Sequence, residues 1–346
     1  MKVGISLTAT ARGVHSHESI DFCRWAARFA DQAGFDVVWT TEHHFTPIAH
    51  TGAPSAALAY YAGVTERVRL GYAVAIVPLH HPLRLAEEFL WVDNLSDGRL
   101  IGGISPGWAA YEFELFGVPL EERRGRLAEA WEIIRPACAG QPVAFQGRFY
   151  QVPEMVIYPP PRQREIPFIL SAGQADSVRQ AARWKVSPVF GAPPISVIAD
   201  YLALFEATCR AEGYDDATIA KLREWIGVRR FITLGRTEEE AREESARHAA
   251  QLRESLDFLG TSRGAERSGD PRNPRTLANE VWGTVEQVTA QLLELEQVGM
   301  RHFIANFTIG SRGLDGTKES IRLFAREVLP VLQASERQRT PARASA

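Results

Sequence analysis

The sequence predicts an α/β barrel, and three observations lead there. Short apolar runs alternate with amphipathic helical patterns along the chain. That βαβα repetition builds a parallel sheet, because strands running the same way need a crossover between them. The 346 residues fall within the roughly 200 to more than 400 that one barrel occupies. Histidine-bearing polar turns follow the strands, at the ends where barrels keep their chemistry.

Strands are read at 3–7, 37–40, 68–77 and 100–104, and the helices between them at 18–33, 54–65 and 82–95. In the first helix Ile20, Ala26, Ala27, Ala30 and Ala33 form the apolar stripe, while Arg24, Arg28, Asp31 and Gln32 share the wetter face. Gly34 ends it, as a residue free to adopt positive φ does. A helix at 120–138, a strand at 168–171, helices at 175–185 and 195–212, a strand at 228–234 and a helix at 238–259 continue the pattern. A further helix opens at Thr284, whose spacing to Gln287 is that of a capping box. A strand at 302–306 and a last helix to Leu332 follow. With 188–190 as the sixth strand, eight strand–helix units make a closed (β/α)8 TIM barrel over residues 1–332 as one domain.

Three segments interrupt the repetition. Residues 141–161, with Phe145, Tyr150 and the triple proline Pro159, Pro160 and Pro161, read as a hairpin followed by an extended insertion. Residues 260–275 are polar, rich in Gly and Pro, and too long for an ordinary barrel connection, so they are expected to be a lid. Residues 333–346 lack periodicity and are expected to be a frayed, flexible tail.

Composition excludes several functions. With 39 Lys+Arg against 42 Asp+Glu, the chain lacks the basic excess that phosphate backbones require, so nucleic acid is not an expected partner. Only four cations are lysines (Lys2, Lys185, Lys221, Lys318), and none stands at the carboxyl end of a predicted strand, which argues against Schiff-base chemistry. Cys23, Cys138 and Cys209 are too scattered for metal or disulfide spacing and read as buried thiols of a reducing compartment. The opening apolar stretch is too short for a signal core, and no run reaches the roughly 18 apolar residues of a membrane span. A cytoplasmic protein without membrane attachment is the expectation.

Seven of the nine histidines lie between His15 and His81. The His15-x-His17 pair invites a metal-hydrolase reading, but ligands from later strands are missing, since no histidine occurs between His81 and His248; solvated loop histidines are the alternative. Thr40 to Phe45, TTEHHF, is more informative. A hydrophobic strand ends in one acid and two imidazoles, groups that exchange protons near neutral pH. Glu42, His43 and His44 are therefore the catalytic candidates, against the reading in which one histidine packs under the barrel and the other is a loop residue.

These residues carry a resemblance. TTEHHF, AIVPLHHPLRLAEE from Ala75, WVDNLSDGRLIGGISPG from Trp91, ILSAGQADSVRQAA from Ile169, GTVEQVTAQL from Gly283 and LFAREVLPVL from Leu323 resemble the bacterial luciferase-like flavin-dependent monooxygenases in order and spacing. The resemblance implies a barrel that takes reduced FMN from a separate reductase, reacts it with O2 through a 4a-hydroperoxyflavin and oxygenates a small organic substrate, commonly as a homodimer. It puts proton transfer on His43, with Glu42 orienting the site, and a non-prolyl cis peptide under the flavin at Ala73–Val74. It also implies flavin contacts from Ser105, Gly107 and Trp108. Phosphate contacts fall to Ser171, Gly173, Gln174 and Ser177, at a helix start where unpaired N–H groups favour an anion; Asp176 or Ser177 merely capping that helix is the structural alternative. The family's phosphate-holding arginine is replaced by Pro106, which removes a charge-assisted contact; lid arginines Arg263 or Arg267 are the expected substitutes. Two rivals remain: a related barrel binding an 8-hydroxy-5-deazaflavin and transferring hydride, and a non-catalytic flavin-binding subunit. Trp108, Tyr111, Phe45 and Tyr72 are expected to line an apolar pocket, with packing around the flavin as the alternative.

Overall fold

In the computed structural model, which describes residues 1–8, 14–46, 49–261, 280–309 and 313–339, twelve strands form in chain order. They are β1 (Lys2–Leu7), β2 (Val37–Thr40), β3 (Arg69–Tyr72), β4 (Ala75–Ile76), β5 (Leu100–Ser105), β6 (Val143–Gln146), β7 (Gln151–Met155), β8 (Phe168–Ser171), β9 (Ser187–Phe190), β10 (Gly227–Leu234), β11 (Val281–Gly283) and β12 (His302–Phe307). Eight of them close a parallel ring in the order β1, β2, β3, β5, β8, β9, β10, β12, with β12 returning to β1. Ser187–Phe190 is the sixth strand of the ring, as expected from sequence.

Alternation along each strand divides the core in two. Outward side chains such as Val3, Ile5, Val38, Leu70, Val228 and Phe303 join the large cluster between sheet and helices. Inward ones, Val37, Trp39, Ile101, Ile169, Val189 and Ile304, form a small separate cluster inside the ring. Trp39 occupies much of that interior: a Cβ on Gly4 would lie 2.3 Å from its indole, and one on Gly71 2.2 Å. Glycine on the neighbouring strands is thus what admits the ring. The Trp39 Nε1–H donates to His302 Nε2 at 3.1 Å, so the floor of the barrel is packed and hydrogen-bonded shut.

Several boundaries differ from expectation. The predicted strand 68–77 stops at Tyr72; a cis Ala73–Val74 peptide follows, then β4 and a 3-10 turn at Val77–Leu79. The helix predicted at 54–65 ends at Ala62, with the Thr65 hydroxyl donating to Tyr61 O. The helix Ala110–Leu115, the helix Asp216–Arg223 and strand β11 were not read from sequence, being too short for a periodic signal. Antiparallel β6 and β7 form the hairpin within 141–161. Of the expected frayed tail at 333–346, residues up to Arg339 continue the helix Leu329–Arg339, with Gln333 donating to Gly34 O at 2.7 Å, and the rest lies outside the described residues. Gly260 and Thr261 belong to the end of helix Glu238–Thr261 rather than to a lid; the rest of the expected lid, Arg263 and Arg267 included, lies outside the described residues. Cys23, Cys138 and Cys209 are free and buried. Among the described residues no helix is long and apolar enough to cross a membrane.

Candidate active site

The carboxyl ends of β2, β3 and β5 bring the chemistry together. After Thr40 the chain leaves β2 extended, and Glu42, His43 and His44 follow at once. Glu42 bonds directly to His44 while His43 bonds elsewhere, so the three expected catalytic residues belong to two hydrogen-bonded groups that meet at His44.

The first group centres on Glu42, which is buried. Its Oε1 accepts from His44 Nε2 at 2.8 Å and from His80 Nε2 at 2.6 Å, and its Oε2 accepts the Ile76 N–H at 2.7 Å. Burial by itself would push the Glu42 carboxyl up. The hydrogen bonds from His44 and His80, the charge of His80 and the Ile76 amide outweigh it and lower the group to about 2. Burial would likewise lower His80, yet the Glu42 carboxylate overrides it and holds His80 above its ordinary value. The pair is therefore ionic, and it ties the backbone of β4, just past the cis peptide, to the end of β2.

The second group holds His43. Its Nδ1 donates to Oε1 of fully buried Glu112 at 3.2 Å. The same oxygen accepts the His44 N–H at 2.8 Å and the Tyr111 hydroxyl at 3.3 Å. Oε2 of Glu112 is buried without a hydrogen-bond partner among the described residues. A carboxylate on Nδ1 leaves the lone pair on Nε2, in a side chain that keeps 28% of its surface exposed. Trp108 meets the imidazole edge-on at 6.1 Å. Such an imidazole can accept or return a proton at Nε2 while its orientation stays fixed.

Sequence reasoning missed Glu112 and gave His80 no role. Glu112 lies on the unread helix Ala110–Leu115, where the even spacing of acids in Tyr-Glu-Phe-Glu carries no signal of which carboxylate turns inward. His80 was visible beyond a strand end, but its partner lies 38 residues earlier.

The cofactor candidates are placed as follows. Ala73 and Val74 flank the cis peptide, partly buried and packed beside the interior cluster. Ser105 Oγ accepts the Gly107 N–H at 3.0 Å, and Gly107 adopts φ +75 with Ile76 and Phe113 close against it. The Ser105 hydroxyl is thus engaged in shaping its own turn. Gln174 N–H donates to Ser177 Oγ at 3.2 Å, and that hydroxyl donates to Gln174 O at 2.7 Å. These two hydrogen bonds close a helix cap, and Ser177 capping the helix is the structural alternative weighed from sequence. Ser171 is exposed, and a Cβ at Gly173 or Gly191 would meet nothing within 4 Å among the described residues. Tyr72 is corrected: it is buried against the helices, its hydroxyl on Ser55 at 2.9 Å. Trp108 and Phe45 are exposed. His15 caps the first helix and stacks on His17 at 5.6 Å; among the described residues no group of three or more His, Cys, Asp or Glu is placed to hold a metal.

The family described as luciferase-like monooxygenase matches residues 1–302. The chain belongs to that family. The alkanal monooxygenase alpha chain of Aliivibrio fischeri is 30% identical over 151 residues, 44% of this chain and 43% of that protein, so the alignment spans less than half of that relative's length. Among solved structures, the monooxygenase RslO1 from Streptomyces bottropensis superposes with a TM-score of 0.83 at 24% identity, over 96% of this chain and 99% of that one. The FMN-bound oxygenating constituent of 3,6-diketocamphane monooxygenase from Pseudomonas putida gives 0.75 at 17%, over 95% and 98%. An F420-dependent secondary alcohol dehydrogenase gives 0.73 at 18%, over 96% and 98%. Both cofactor types therefore occur on this fold.

Proposed function

We propose that the chain is a flavin-dependent monooxygenase that uses reduced FMN, supplied by a separate reductase, and O2 to oxygenate a small organic substrate. The observation that carries the reading is His43, held through Nδ1 by buried Glu112 while its Nε2 stays without a partner among the described residues. That is the geometry of a positioned acid–base group. The residues fit a flavin: the small side chains of Ala73 and Val74 let a flat ring approach the strand end, and among the described residues nothing stands within 4 Å of a Cβ at Gly173 or Gly191. Bound there, reduced flavin supplies the electrons for oxygen activation.

The chain's own work is then fourfold. His43 moves a proton at Nε2. Glu112 holds the imidazole in one tautomer. The Glu42–His80 ion pair fixes the backbone of β4 behind the ring's resting place. Trp108 and Phe45 narrow the mouth and exclude water from it.

A second reading, deazaflavin-dependent hydride transfer, is favoured by Pro106, which stands where the family commonly places its phosphate-binding arginine. Anaerobic titrations with reduced FMN and with the deazaflavin, side by side and read by thermal melting, separate the two. Stabilisation by reduced FMN supports the oxygenase; a ligand at a hundredfold excess over its Kd adds about 2.7 kcal/mol. Stabilisation by the deazaflavin alone would reverse the assignment.

A further inference from the structure

Arg229 lies on β10 between Gly227 and Phe231. Gly227 pairs with inward-facing Val189, and Arg229 pairs with inward-facing Ile304. Strand alternation therefore turns the Arg229 guanidinium into the barrel. Its position is one step above the closed floor of Trp39 and His302, at the level of Gly191 and Gly173. In the eight-strand ring β10 is four strands from β3 in either direction. The cation thus faces the Ala73–Val74 peptide from the opposite wall.

Among the described residues no carboxylate answers it. Among the described residues Arg229 makes no hydrogen bond or ion pair, and its recorded neighbour is the Phe231 ring at 5.3 Å. Burial, with no opposing charge, draws its pKa down from the usual value. The acids of the mouth are already committed, Glu42 to His44 and His80 and Glu112 to His43. A partly buried arginine without a counterion is costly to keep, and its planar fork is made for an oxyanion.

We propose that Arg229 is a specificity-determining residue that receives the carboxylate of an anionic substrate, beside Phe231, whose ring is held in place by packing on His248 at 4.4 Å. This rests on reading the β3 end as the flavin's place, which leaves the opposite wall to the substrate. A flavin phosphate is the other oxyanion that would suit a guanidinium, and the experiment separates the two.

The full-length protein is titrated calorimetrically with sodium benzoate, its neutral isostere benzamide, FMN and riboflavin, as wild type, R229K and R229Q. Wild type is expected to bind benzoate about tenfold or more tightly than benzamide. R229K is expected to keep part of that preference and R229Q to lose it, with FMN and riboflavin affinities unchanged throughout. R229K retains the charge and so keeps the test readable if R229Q melts early. Equal binding of benzoate and benzamide by wild type, or a preference that survives in R229Q, overturns the proposal. So does loss in R229Q of a preference for FMN over riboflavin, which would give the cation to the flavin phosphate. If wild type binds no flavin yet discriminates benzoate through Arg229, the carboxylate subsite stands and the flavin reading falls.

Discussion

Glu112 Oε1 lies 3.2 Å from His43 Nδ1, and the same atom takes the backbone N–H of His44 at 2.8 Å. One buried carboxylate thus fixes both the His43 ring, the proposed proton-transfer group, and the backbone beside it. Its contribution is positional, since it acts through His43 and the His44 amide.

His43→Ala should depress product formation by about 10²- to 10⁴-fold with flavin affinity retained, the usual worth of a positioned acid or base. Glu112→Gln should lower kcat by about tenfold and displace the pH–rate profile, because an amide no longer selects the Nδ1–H tautomer. Turnover with supplied reduced flavin, alongside flavin titration, checks both. If His44→Ala proves the more damaging to turnover at equal flavin occupancy, proton transfer belongs elsewhere.

The Glu42 carboxyl is lowered from 4.5 to about 2 in the folded chain. A depressed carboxylate contributes stability above its unfolded pKa and loses it as pH falls through the folded one. The window is therefore from 4.5 down to about 2, and the contribution is on the order of 3 kcal/mol. His80 runs the other way: its raised pKa stabilises fully below 6.5 and fades as pH rises above that. Urea melts of Glu42→Gln should show a flatter dependence between pH 4.5 and 3 than wild type; parallel curves would refute the ion pair.

His302 is buried and neutral, its pKa lowered by burial, with help from the Lys2 charge, to about 3. The unfolded chain takes a proton near 6.5 that the folded chain refuses. Its contribution is thus complete above pH 6.5 and lost as pH falls toward 3. This loss begins about two pH units before that of Glu42, so the two are separable. His302→Gln, which keeps an acceptor for Trp39, should remove the slope between pH 6.5 and 5; an unchanged slope there would mean another group titrates.

Gly103→Ala should destabilise by roughly 1–3 kcal/mol, because its Cβ would come within 1.9 Å of Tyr72 O on the paired strand. Gly191→Ala should fall within about 0.5 kcal/mol of wild type, since among the described residues nothing lies within 4 Å of its Cβ. Equal melting of the two variants would contradict a tight wall at β5 and free space beside Gly191.

What the sequence by itself determined about this protein is its architecture and its address for chemistry. Eight apolar runs with helices between them specify a parallel ring, because local periodicity reports burial directly, and the capping box at Thr284 appears with Gln287 as read. Residues 42–44 were legible as a site because an acid and two imidazoles rarely end an apolar strand. Tertiary structure alone decided who partners whom. Glu42 turned out to belong with His80, and His43 with Glu112, pairs separated by 38 and 69 residues. Gln174 and Ser177 proved to satisfy each other. Arg229 was one arginine among many in the sequence, and only closure of the ring turned it inward, facing Ala73 and Val74. Hydrogen bonds and charge pairing depend on approach within about 3 Å, and no spacing along the chain encodes a distance across the barrel.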